Sequence, residues 1–338
     1  GLDATVQDAV LAQGAACVHD DTIVSIDPSD IQKPYARDGG MPLLAKVWDG
    51  SRGRVGDNLG YNLCFATASP GMSRRIVPLH MAMWSAKEEG FTSENDKVLE
   101  VIGKIARACE GRGIYVYDRG GDGNWLFDFF VKEGLDFIVR LVGDRHLLHW
   151  NGRRPAADLA GTCEMKCRDR VAFRSHGREL EVPIEYGSIP ARLPEHPAVG
   201  LRLVVVKWPR CEKPMMLLTT LRAARSRKSL RQAVEGYLTR WRVEETIRFV
   251  KQAYEVEDVR LLRFGRLKAM VAIVLATAYF AMAWLGLGDK LAVLADHVKR
   301  VSKRMFDMPD FFFYAIADGL RTLFSRHGRW NGLATIRD

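Results

Sequence analysis

Two short β-branched or apolar runs, each stopped by an aspartate, constrain this chain more than any other feature. Residues 22–26 (TIVSI) end at Asp27, where Pro28 and Ser29 break the run, and residues 113–117 (GIYVY) end at Asp118. Between them, residues 60–69 and 75–84 read as two strands around a Pro70–Gly71 turn. Ser93, Glu94 and Asn95 then open a helix with Val98, Val101, Ile102 and Ile105 on one stripe, ending near Gly111. A short helix at 125–132 and a strand at 136–141 follow the second aspartate. The order predicts a mixed α/β sheet, which sets its chemistry at the carboxyl ends of strands, so the two aspartates are expected to converge. Asp also ends strands as a simple turn former, and either residue taken alone fits that reading.

The texture changes from 143 to about 220. Residues 171–175 and 179–186 read as a hairpin, 201–208 and 215–220 as further strands, and the Pro-rich stretch 190–197 as a connection. This predicts an all-β insertion. After Arg222 the pattern is helical, and its entrance is basic. Most of the chain's formal charge of +9 (Lys+Arg 50, Asp+Glu 41) sits between 222 and 268. Such a surplus favours an anionic partner, nucleic acid or a membrane surface.

Residues 269–288 pass without a charge, a length that suits a bilayer. Their many alanines weaken that reading, and a helix apolar all round also forms the buried centre of a large domain, so no membrane partner is expected. The 6 cysteines are scattered; Cys163 and Cys167 lack the further ligands zinc needs, and free thiols suit a reducing, cytoplasmic setting.

Residues 229–254 predict one long helix. On it Tyr237, Arg240, Glu244 and Lys251 fall inside an arc of about 60°. An ordinary solvated face would explain an Arg240–Glu244 pair but not the alignment of the Tyr and Lys. Added to Asp27 and Asp118, Glu244 makes three carboxylates able to hold two divalent ions. Mg²⁺ prefers such oxygens and keeps waters, which leaves room for a phosphate. The neighbouring cations would hold a nucleic-acid backbone.

With SIDPSD around Asp27, YVYDRGGD around Asp118 and the Tyr237–Arg240–Glu244–Lys251 signature, the chain resembles the Asp-Asp-Glu transposases of the insertion-sequence-four family, the Tn-five and Tn-ten group. The resemblance covers about residues 20 to 290. It implies a ribonuclease-H-like α/β core interrupted by an all-β insertion, with a helical C-terminus. It also implies cleavage at element ends and strand transfer into target DNA by a cut-and-paste route. Asp27, Asp118 and Glu244 would be the catalytic metal ligands for two Mg²⁺ (or Mn²⁺), and Tyr237, Arg240 and Lys251 would contact DNA. Some members place a base-stacking tryptophan at the start of the insertion's last strand. Met215 stands there as a candidate wedge, with Trp208 a misplaced substitute.

The expected divisions are a remnant of an N-terminal region (1–20), the first part of the core (21–142), the insertion (143–221), the second, helical part of the core (222–288) and a helical C-terminal region (289–338). The expected partners are transposon-end and target DNA and a second copy of the chain, in the bacterial cytoplasm near the nucleoid. Only 26 residues precede Asp27, where family members carry an end-recognition domain. That leaves the alternative of a shortened, DNA-binding regulator.

Overall fold

The computed structural model describes residues 1–284 except 35, 37–39, 50–53, 71–74, 151, 176–177, 210, 221–225, 260 and 262. The expected C-terminal helical region, with Met305, Phe306 and the Phe311, Phe312, Phe313 and Tyr314 cluster assigned to dimer or core packing, lies outside the described residues.

One mixed sheet organises the chain. Its middle is β1 (Ile23–Gln32), β5 (Ile114–Tyr117) and β6 (Asp136–Arg140), paired in parallel. On one side β3 (Arg54–Ser69) runs antiparallel to β1 and carries β2 (Ala45–Asp49) and β4 (Val77–Trp84). On the other side β12 (Met215–Thr219) pairs with β6 and leads to β11 (His196–Lys207), β10 (Arg178–Leu193) and β9 (Cys167–Ser175). The hairpin of β7 (His146–His149) and β8 (Gly152–Pro155) closes that edge on β10.

Alternation along the central strands divides the core between the two faces. Val24, Ile26, Tyr115, Phe137 and Val139 pack on one face under α2 (Glu94–Ala108) and α3 (Asn124–Glu133). Ile23, Ile114, Val116 and Ile138 pack on the other under α5 (Arg227–Thr239). The helix ends follow local chemistry. Ser93 Oγ accepts the Asp96 N–H at 3.1 Å, and α3 stops at Gly134, whose φ of +66° is the left-handed cap glycine favours. Helix α1 (Leu2–Ala15) packs with α7 (Phe264–Tyr279) against β4. Phe264–Trp284 is long and apolar enough to cross a membrane, with 56% of its most apolar window buried inside this fold.

Three expectations are corrected. β1 does not stop at Asp27; Pro28 and Ser29 lie within it, because β3 pairs with it from Ile23 to Gln32. The parallel partner β5 reaches only Ser25, so Pro28 sits on an edge, where a missing N–H is tolerated. The region 143–221 is β-rich rather than all-β. It includes α4 (Ala156–Gly161), its strands continue the core sheet through β12 and β6, and 190–197 belongs to the long β10–β11 ribbon rather than a loop. The helix expected over 229–254 is two, α5 and α6 (Trp241–Ala253), meeting at Arg240. There the backbone tightens to three-residue spacing, with Arg240 N–H on Tyr237 O (3.1 Å) and Val243 N–H on Arg240 O (2.9 Å).

Candidate active site

The parallel register of β1 on β5 builds the site. The register ends with Ser25 opposite Val116; two residues further on stand Asp27 in β1 and Asp118 just past the end of β5, near enough for Asp118 to help raise the Asp27 pKa. Adjacent strands lie about 4.8 Å apart. Asp118 Oδ1 accepts the Gly120 N–H at 2.8 Å, starting the tight turn Arg119–Gly121. Asp122 closes that loop: its carboxylate accepts the Val142 N–H at 2.7 Å and pairs with Arg145, which also bonds Asn124 at 2.9 Å. The second acidic residue of the YVYDRGGD segment, Asp122, therefore serves the loop's shape.

Helix α5 and its continuation α6 bring the third carboxylate, Glu244 of α6. Gly236 lets the helix lie on the sheet, since a Cβ there would come within 2.8 Å of Ile23 Cδ1 and 3.2 Å of Ile138 Cδ1. Tyr237 follows it into the core and is 2% exposed. At the junction with α6 the Arg240 side chain turns inward and is 5% exposed. Its Nη1 donates to Asp27 Oδ1 at 3.1 Å and its Nη2 to Glu244 Oε1 at 2.6 Å. One guanidinium thus ties a strand carboxylate to a helix carboxylate, while Glu244 keeps much of its side chain in solvent.

Burial shows in the protonation of Asp27. Burial pushes its carboxyl up to about 7, with Glu244 and Asp118 adding to the rise and Arg240 and Lys251 opposing it. The native state therefore binds this proton more tightly than the unfolded chain does, and stability falls as pH rises from about 4 to about 7. Asp27→Asn is expected to be more stable than the parent at pH 8, by at least about 1 kcal/mol, with the gain gone near pH 4. Urea unfolding at the two pH values checks this; an equal or lower stability of the variant at pH 8 would contradict it.

The other expected DNA contacts are placed differently. Tyr237 and Arg240 are buried and cannot meet a phosphate at the surface as they stand. Lys251 Nζ lies 3.5 Å from Glu257 Oε1 and 4.0 Å from Asp30 Oδ1, inside an ion network. Met215 is 3% exposed and packs with Val204, Val206 and Ile184, so it is a core residue and not a wedge. Sequence reasoning missed Asp30, Lys33 and Glu257, which bind α6 to β1. SIDPSD contains Asp30, but nothing in the spacing linked it to Lys251.

Among the described residues no three His, Cys, Asp or Glu side chains are gathered closely enough to hold a metal ion as they stand. The donor set nevertheless fits a hard divalent cation. It consists of carboxylate oxygens, with the buried guanidinium of Arg240 bridging two of them.

A family profile described as the transposase DDE domain matches residues 80–281, a span that includes Asp118 and Glu244 and begins after Asp27. Among solved structures, the chain is similar to the piggyBac transposase synaptic complex with hairpin DNA. The TM-score is 0.46 and the identity 10%, over 92% of this chain and 55% of that one. The chain thus spans about half the length of that protein. No curated protein matches it.

Proposed function

Because the chain belongs to the DDE-domain transposase family, we propose that it cuts and joins DNA strands, with Asp27, Asp118 and Glu244 as the working carboxylates. The observation that carries this reading is their convergence from three elements: the β1–β5 register sets two side by side, and Arg240 ties the third to the first.

The three carboxylates would hold the divalent ions. Bound there, Mg²⁺ or Mn²⁺ supplies Lewis-acid stabilisation of the phosphate and acidifies the attacking water or 3′ hydroxyl. Arg240 neutralises part of the carboxylate charge and fixes the orientation of Asp27 and Glu244; this replaces a phosphate contact as its role. Tyr237 supports it from below, with the guanidinium 5.8 Å from the ring centroid. The solvent-facing part of Glu244 leaves an approach for a DNA backbone.

In finer terms, we read the enzyme as a cut-and-paste transposase of the insertion-sequence-four type. Strands β1 and β3–β6 would form a ribonuclease-H-like core, and residues 143–221 a β-rich insertion that clamps DNA. Two copies would act on paired element ends in the cytoplasm.

The test is a supercoiled plasmid carrying the DNA that borders the coding region, incubated with purified protein. Mg²⁺-dependent nicks at those borders are expected. A folded, DNA-binding protein that leaves the plasmid intact in both Mg²⁺ and Mn²⁺ would overturn the reading and favour a regulator.

A further inference from the structure

Helix α6 is fastened along β1 by a series of side chains that begins at the proposed site and runs well beyond it. At one end stands the Arg240–Asp27 bond. Six residues further along the chain, just past the end of β1, Lys33 is 4% exposed, and its Nζ donates three hydrogen bonds to main-chain carbonyls. These are Val256 O at 2.8 Å, Glu257 O at 3.0 Å and Val259 O at 2.9 Å, all in the turn that follows the last residue of α6. Between the two ends, Lys251 lies within ion-pair distance of Asp30 and Glu257, and the Gln32 N–H donates to Glu257 Oε1 at 3.4 Å.

The lengths match. A helix the size of α6 rises about 20 Å, and six residues of strand span about 20 Å. This stretch of β1 has no strand on the β5 side beyond Ser25, so the helix takes the place a strand would have. An ammonium has three donors, and here all three are used on carbonyls of one turn. Apolar contacts let a helix slide by a fraction of a turn at little cost. Three convergent hydrogen bonds do not, because a slide of 1 Å would strand a buried charge and three buried acceptors at once.

We propose that Lys33 is a positioning residue, setting the axial register of α6 on β1 and so the place of Glu244 opposite Asp27 and Asp118. This rests on the reading of those carboxylates as the cation site. Small displacements of reacting groups cost large factors in rate, so the register bears on function as well as on stability.

Lys33→Met keeps most of the length of the side chain and removes every donor. Three measurements are made on it and on the parent: Ca²⁺ binding by calorimetry, the Mg²⁺ dependence of single-turnover nicking, and affinity for a DNA duplex. The expected result is a variant that unfolds cooperatively and binds duplex within about twofold of the parent. It should bind Ca²⁺ at least about tenfold more weakly and need correspondingly more Mg²⁺ to nick. Glu257→Gln leaves the three carbonyl bonds in place and weakens only the Lys251 and Gln32 ties. It should shift Ca²⁺ affinity in the same direction by a smaller factor, and Lys33→Arg, which keeps the charge but cannot place three donors on the same carbonyls, decides the matter if Lys33→Met does not fold. A parent that binds Ca²⁺ alongside variants with unchanged Ca²⁺ affinity would overturn the positioning role alone. A parent that neither binds Ca²⁺ nor nicks would overturn the site reading and this role together.

Discussion

Glu244→Gln is expected to lose strand cleavage by at least about 100-fold, while binding a DNA duplex as tightly as the parent. The amide keeps the shape of the side chain and still accepts a bond from Arg240. It lacks the negative charge that a divalent cation requires, and a bound ion is worth several kcal/mol of transition-state stabilisation. The fold should survive, because the Glu244 side chain is 43% exposed and its pair with Arg240 is correspondingly screened. Glu245→Gln is the control and should keep most activity. Glu245 follows Glu244 by about 100° around α6. Equal loss in both variants, or full cleavage by Glu244→Gln, would remove Glu244 from the site.

Arg240→Met should cause the largest loss of stability of any single change at the site, about 3–5 kcal/mol. The guanidinium is almost wholly buried and is the only cation bonded to both Asp27 and Glu244 among the described residues. Its removal leaves Asp27 buried beside two other carboxylates with the more distant Lys251 as compensation. The loss should be smaller at pH 5 than at pH 8. The sign follows from Asp27, whose carboxyl is already raised to about 7 and rises further without its partner, so acid relieves the native state by protonating it. Denaturant unfolding at both pH values checks this. A loss that is the same at both, or larger at pH 5, would mean that Asp27 is not the group left uncompensated. A simple phosphate contact would behave differently, with unchanged stability and weaker DNA binding that depends on salt.

The three proposed carboxylates could be picked out in the sequence because each is marked by a local pattern: Asp27 and Asp118 by the apolar runs before them, Glu244 by its helical neighbours. The roles of those neighbours could not. A helical wheel aligns Tyr237, Arg240 and Lys251, but it cannot say whether an aligned side chain meets solvent or the sheet, and Gly236 draws Tyr237 inward. The wheel also assumes one straight helix, whereas the chain tightens at Arg240 and turns that side chain toward β1. Met215 reads as a strand-start residue in the sequence, yet β12 is flanked by β6 and β11 and is buried along its length. Pro28 misled for a related reason. Proline ends a strand only where its N–H is needed, and the early end of β5 removes that need. Lys33 had no local signal, because its three partners lie more than two hundred residues away.

The central claim is that Asp27, Asp118 and Glu244 together hold a divalent cation. Loading the protein with Fe²⁺ in place of Mg²⁺ and adding ascorbate and peroxide generates radicals that cut the main chain beside the bound ion. Mapping those cuts by mass spectrometry tests the claim most directly. The account predicts three groups of fragments, with ends near residues 27, 118 and 244, suppressed by excess Mg²⁺ and absent from Asp118→Asn. Cuts confined to other segments, in a protein that still nicks DNA with Mg²⁺, would contradict it.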